Sequence, residues 1–253
     1  MATEVVTKGV ANRGLPQPVA DNVREGTPIR LSRYGGQITE SVVSTKQVLA
    51  DEGGYFVATN PTPGTAFAYP VLAAFADTTP GIYMFNKDAP ANASAKRIYL
   101  DYIKIIVTTV PASTTSANFA IKLDSAARAL TTDNTVSLIP ANVNMDLGTA
   151  SLALVKAQNS ATASVIAAGS ASSRLVSRGV LGGLPIVGDE LVIAFGSVDP
   201  AGAYGATNVA SRKVTSAPPV VIGPGQSLAF SLWFIGNAAT GLSYELEVGW
   251  WER

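Results

Sequence analysis

Any chemistry in this chain must come from carboxylates and hydroxyls, because its 253 residues include no histidine and no cysteine. Those absences remove disulfides, thiolate nucleophiles, zinc sites of the usual nitrogen and sulfur type, and both Ser-His-Asp and Cys-His machinery. Two carboxylates can still act as acid and base, as in glycoside hydrolysis. Adjacent acids occur at Asp51-Glu52 and Asp189-Glu190, each beside glycines at the start of a strand-like run. An acid in that position is expected to sit solvated at a loop tip. Glu245 and Glu247 alternate with Leu246 and Val248, which gives the last strand-like run one acidic face. Like charges on one face repel unless a cation from a neighbouring strand opposes them, and Arg212, Lys213 or Arg253 are the candidates. A cross-strand ion pair is therefore expected here rather than an acid/base dyad. A carboxylate hydrolase would rest on these chance acid pairs alone, and would require that changing Asp189 or Glu190 abolish turnover. Gly223-Pro224-Gly225 is the nearest approach to a phosphate loop, but it lacks the lysine and the following helix, so it reads as a turn. Calcium loops of alternating acids are also missing from the sequence. The expectation is a non-enzymatic chain with no catalytic residue, no metal and no cofactor.

The elements that would position these groups are short strands. Ile98 to Thr109 forms one run, with Ile98, Leu100 and Tyr102 on one side and Tyr99, Asp101 and Ile103 on the other. Phe119, Ile121 and Leu123 alternate with Ala120, Lys122 and Asp124, the period of a half-buried strand. Further runs are expected at Thr135 to Ile139, Ser151 to Lys156, Thr162 to Ala168, Leu175 to Leu181, Glu190 to Gly196, Val220 to Ile222, Ser227 to Ile235 and Ser243 to Trp251. Gly, Pro, Asn or Asp separates nearly every pair. Only Ser125 to Leu130 reads as a short helix, so the alternating βα pattern of a parallel sheet is missing. Eight or more strands in about 160 residues, with connections too long for a meander, predict an all-β fold, a jelly-roll β-sandwich. Residues 67–253 are assigned to this body. Residues 1–66, punctuated by Gly14, Pro16, Pro18, Pro28, Gly35, Gly36, Gly53, Gly54, Pro61, Pro63 and Gly64, are assigned to an extended N-terminal arm, with Ile38 to Leu49 its best candidate for regular structure.

Composition narrows the partners. Eighteen Lys and Arg balance eighteen Asp and Glu, so the basic stripe that would release counterions from nucleic acid is missing. The six basic residues before Ala50 exceed the acids there by two, too little to change that reading. Charged residues make up 14% of the chain against an ordinary ~25%, so Ser, Thr, Ala and Asn must cover much of the surface. Met1 to Gly14 contains no apolar stretch of signal-peptide length, and synthesis and retention in the cytoplasm are expected. The charge-free stretch from Val214 to Tyr244 is broken by Pro218, Pro219 and Pro224, so no membrane span is expected.

Aromatic residues carry the remaining signal. Phe230 and Phe234 share a strand face with Leu228 and Leu232, while Trp233 lies opposite with Ala229, Ser231 and Ile235. A strand apolar on both faces is covered on both. Trp250-Trp251 sends one indole inward and the other to a second surface. The segments Val221-Ile-Gly-Pro-Gly-Gln-Ser-Leu-Ala-Phe-Ser-Leu-Trp-Phe234, Tyr244-Glu-Leu-Glu-Val-Gly-Trp-Trp-Glu-Arg253 and Asp51-Glu-Gly-Gly-Tyr-Phe-Val-Ala-Thr-Asn-Pro-Thr-Pro-Gly-Thr65 resemble virion structural proteins of tailed bacteriophages, of the capsid decoration or cement type. That resemblance spans about half of the chain. It implies a body that forms a homotrimer or bridges capsomers, binds the major capsid protein at the capsid surface of the virion, and lays its arm on the shell. A host-binding, fibre or collar module built on the same sandwich is the alternative. Tyr55, Phe56, Trp233, Ile235, Trp250 and Trp251 are the candidate interface residues. With no histidine to change charge between about pH 5 and 8, such contacts are expected to be indifferent to pH over that range.

Overall fold

A computed structural model describes residues 30–31, 37–38, 45–70, 72–92, 94–110, 114–130, 135–159, 166–180, 185–196, 212–236 and 242–253. The chain divides into two compact units, Met1–Val48 and Leu49–Arg253. In the first, β1 (Arg30–Leu31) pairs antiparallel with β2 (Gln37–Ile38), and α1 (Thr45–Asp51) crosses the boundary. The rest of the expected arm before Thr45 lies outside the described residues.

Among its described residues the second unit holds fourteen strands: β3 (Tyr55–Thr59), β4 (Phe67–Ala68), β5 (Ile82–Asn86), β6 (Ile98–Thr109), β7 (Thr114–Asp124), β8 (Thr135–Leu138), β9 (Ala141–Asn142), β10 (Ala153–Gln158), β11 (Arg174–Val180), β12 (Glu190–Phe195), β13 (Arg212–Ala217), β14 (Val221–Ile222), β15 (Ser227–Gly236) and β16 (Ser243–Glu252). One sheet runs β11-β7-β15-β5-β10-β8. The other runs β13-β12-β6-β16-β3-β9, with β14 beside β6 and β4 beside β16. A single core joins them, taking Phe119, Ile121, Phe230 and Phe234 from the six-stranded sheet and Phe56, Ile103, Leu246 and Trp250 from the eight-stranded one. The fold is therefore an all-β sandwich. Among the described pairings all are antiparallel except β12 with β13, which run parallel. The strand orders, rather than the jelly-roll name, describe this sandwich.

The body begins at Leu49 and not at residue 67. Glycines and prolines make residues 51–66 look like an arm, yet β3 pairs with β16 from Tyr55↔Trp251 to Thr59↔Glu247. Phe56 and Ala58 alternate into the core, and Phe56 stacks on Trp250 at 6.1 Å. The Ser125–Leu130 helix does not form, because its backbone is engaged elsewhere. The Ala126 amide donates to Asp124, the Ala126 carbonyl accepts from Ser227, and the Arg128 amide donates to the Tyr83 hydroxyl at 2.6 Å. Of the strand expected at Thr162 to Ala168, residues 162–165 lie outside the described residues, and the remainder is a loop tied by the Ile166 amide to the Thr78 carbonyl.

Strand β6 carries the fold's clearest departure from simple alternation. Gly249 faces Tyr102 and Trp250 faces Leu100, so Asp101 is an extra residue in the ladder. That bulge puts Leu100 and Ile103 on the same inner face and turns Tyr102 outward. Tyrosine hydroxyls bind the two sheets across the core. Tyr244 of the eight-stranded sheet donates to the Gln158 carbonyl of the six-stranded one at 2.9 Å. Tyr69 donates to the Leu232 carbonyl at 2.7 Å. Burial raises the pKa of both phenols, so they remain neutral donors. No helix among the described residues is long and apolar enough to cross a membrane.

Candidate functional site

Two surfaces gather the groups that could recognise a partner, one on the outer face of each sheet. On the eight-stranded sheet, β3, β16 and β6 lie side by side, and their outward residues interlock. The Tyr55 hydroxyl donates to Asp101 Oδ2 at 2.6 Å, and the Tyr102 hydroxyl donates to Glu247 Oε1 at 2.6 Å. Lys104 Nζ lies 2.7 Å from Glu247 Oε2. Burial first, and then the neighbouring carboxylates, raise the pKa of both tyrosines well above the ordinary value, so each keeps its proton. Trp251 and Tyr99, opposite each other in the ladder, stack with planes 3° apart. Gly249 makes room for this layer. A Cβ there would lie 2.4 Å from Tyr102 Cε1 and 2.9 Å from the Tyr55 hydroxyl.

Lys104, directly across the ladder from Glu247, supplies the cation expected against the acidic face. It does not come from Arg212 or Lys213, whose strand β13 lies beyond β12 and β6, nor from Arg253, past the far end of β16. Glu245 instead accepts from the Gly64 amide at 3.1 Å. The Asp189 position also differs from the expected solvated tip. This residue is fully buried, and its Oδ2 accepts from the Ile186 amide at 2.9 Å, closing its own turn. Asp51 and Glu52 are exposed. These acids are scattered, and among the described residues no group of three or more His, Cys, Asp or Glu could hold a metal ion.

The outer face of the six-stranded sheet falls into two halves. Loops cover one, where Tyr83, Ala229 and Ile166 make a small second core with Phe85 and Ala129 against it. Arg128, only 2% exposed, holds that cover down. Its Nη2 donates to Asp77 Oδ2 at 2.8 Å and its Nε to the Ala167 carbonyl at 2.8 Å. Lys122 reaches the other Asp77 oxygen at 2.6 Å, and the Gly169 amide adds a third donor. Burial works against the Asp77 charge, but these donors outweigh it and hold the pKa below the usual carboxylate value. The other half is an open groove lined by Phe75, Ala120, Lys122, Leu175, Arg178 and Trp233. Phe75 meets Trp233 edge to face at 5.6 Å, and Lys122 stands 5.9 Å above the Phe75 ring.

The six candidate interface residues separate cleanly. Trp233 and the half-exposed Ile235 lie on the outer face of the six-stranded sheet, while Tyr55 and Trp251 lie on that of the eight-stranded sheet. Phe56 and Trp250 are core residues and present nothing to a partner. Trp250 is fully buried, and its indole N–H donates to Glu252 Oε1 at 3.1 Å. Sequence reasoning missed Tyr99, Tyr102, Lys104 and Phe75. The first three alternate visibly along β6 once the bulge is known, but Phe75 sits in a loop with no periodic signal. No family model, curated protein or solved structure matches the chain.

Proposed function

We propose that this chain is a structural virion protein of a tailed bacteriophage, a decoration or cement protein that binds the major capsid protein on the capsid surface and associates with copies of itself as a homotrimer. The observation that carries the reading is the outward layer of the eight-stranded sheet. Tyr55, Tyr99, Tyr102 and Trp251 are half-buried, and their ring positions are set by ladder register, by stacking and by hydrogen bonds to carboxylates. Tyrosine and tryptophan are enriched where proteins dock, and rings already held in place lose little freedom on binding. The carboxylates of this face, Asp101 and Glu247, are engaged by the tyrosines and Lys104, which suits a recognition layer. The balanced charge supports close packing of many copies, since high net charge opposes association. A shell contact repeated over many copies is strong even when each contact is modest.

The test is cosedimentation of the purified chain with capsids lacking it, comparing wild type with Trp251→Ala. Wild type is expected to saturate the shell, and the variant to lose about tenfold or more in affinity while keeping its fold. Equal binding by both would remove the proposed surface, and no binding by wild type would remove the function.

A further inference from the structure

The loop after β8 holds the most exposed apolar side chains described in the molecule. Met145 is 94% exposed and Ile139 is 84% exposed, with Val143 also outward. An apolar side chain so placed on a loose loop would need no explanation, but this loop is fastened. Asn142 Nδ2 donates to the Gly53 carbonyl at 2.9 Å, Asn144 Nδ2 to the Asp51 carbonyl at 3.1 Å, and the Val143 amide to the Tyr55 carbonyl at 3.2 Å. Gly53, at φ +69°, tucks beneath Leu147, where a Cβ would lie 2.8 Å from Leu147 Cδ1. The result is a fixed apolar knob with Asp146 beside its tip. The Asp146 carboxylate is exposed and has no cation within ion-pair distance among the described residues.

A complementary feature lies at the opposite edge of the sandwich. The groove beside β11 offers Phe75 and Trp233 as aromatic walls and Leu175 as a rim. Arg178 stands there exposed, with no acid within ion-pair distance among the described residues. Thioethers pack well against aromatic rings, and a carboxylate beside the thioether meets an unpaired guanidinium. Strand β8, which leads into the knob, and β11, which borders the groove, are the two edge strands of one sheet, five strand spacings or about 24 Å apart. One chain cannot place its own knob in its own groove.

We propose that the Met145 knob of one copy inserts into the Phe75–Trp233 groove of a second copy, with Asp146 pairing with Arg178. Such a contact is heterologous, joining two different patches, so it leads to a closed ring or a continuing chain and not to a two-fold dimer. It deepens the self-association part of the proposed function. Particle binding is read by a separate assay, so either can fail without the other.

The test measures the mass of the full chain by light scattering across a dilution series, for wild type, Met145→Ser, Asp146→Arg, Arg178→Asp and the double variant Asp146→Arg/Arg178→Asp. All three positions are exposed, and an unchanged thermal midpoint checks that the fold is intact. Wild type is expected to associate beyond a monomer. Each single variant is expected to weaken association by about tenfold or more, and the charge-swapped double variant to return to within about threefold of wild type. A wild type that stays monomeric, an oligomer indifferent to Met145→Ser, or a double variant no better than its singles would each overturn the contact.

Discussion

The outer face of the eight-stranded sheet is finished by strand neighbours, whereas that of the six-stranded sheet is finished by loops. Across the first, Tyr102, Lys104 and Glu247 meet because β6 and β16 are adjacent and in register. Across the second, Asp77, Lys122, Arg128 and Gly169 converge from four separate stretches of chain. The contrast is also energetic. The first face shares its polar contacts among several partners, so each is worth little alone. The second concentrates them on Asp77 and the buried Arg128 guanidinium it pairs with, so loss of that pair is costly. In the face finished by register, the rings are held by ladder position, stacking and hydrogen bonds. One finished by loops leaves an open groove, suited to a single inserted side chain.

The largest effect should come from the clasp. Asp77→Ala leaves the Arg128 charge buried without its carboxylate, and the expected loss is about 3–5 kcal/mol in urea unfolding. If the loss is under about 1 kcal/mol, the clasp does not hold the second core. Next comes Gly249→Ala, which drives a methyl group into Tyr102 and Tyr55 and should cost about 1–3 kcal/mol through overpacking. That variant should also weaken particle binding by displacing the ring layer, which a purely local cost would not do. Smaller again is Tyr102→Phe, which removes one hydrogen bond to a carboxylate already paired with Lys104. About 1 kcal/mol is expected, and a much greater loss would mean the two faces are not so different.

Acid should act chiefly on the six-stranded side. Asp77 and Asp124 both have depressed pKa values. For Asp124, burial opposes the charge, and the hydroxyl and amide of Ser170 outweigh it. A depressed carboxylate contributes stability that is present above its unfolded pKa of about 4 and is lost as pH falls through the lower folded value. Thermal midpoints should therefore hold steady from pH 8 to 5, where no histidine titrates, and fall below about pH 4. Asp77→Asn should flatten part of that acid limb. A midpoint that drops between pH 7 and 5 would contradict this assignment.

Much of the sandwich was legible in the sequence because one buried face imposes a period of two. The run Ile98 to Thr109 coincides with β6, and the alternation around Phe119 and Phe230 sorts inner from outer residues correctly. Strand β5 escaped because four of its five residues are buried, which erases the alternation. Strand β3 was hidden among glycines and prolines, although its own Phe56 and Ala58 alternate inward. The bulge at Asp101 is one extra residue in the β6–β16 ladder, and nothing in its type announces it. Of the surfaces, Trp233 and Trp251 were visible as apolar residues on faces that a simple core does not need. Which indole of Trp250-Trp251 points inward depends on register with Phe56 and on Glu252 meeting the indole N–H, and neither is a property of the pair itself. The Asp77–Arg128 clasp spans 51 residues and was not legible at all.

The central claim is that the chain serves as a repeated structural part of a particle surface. Quantitative mass spectrometry of purified virions tests it most directly. The expected result is this chain present at a copy number comparable to that of the major capsid protein. Its absence from the particle, or only a few copies per virion, would contradict the account.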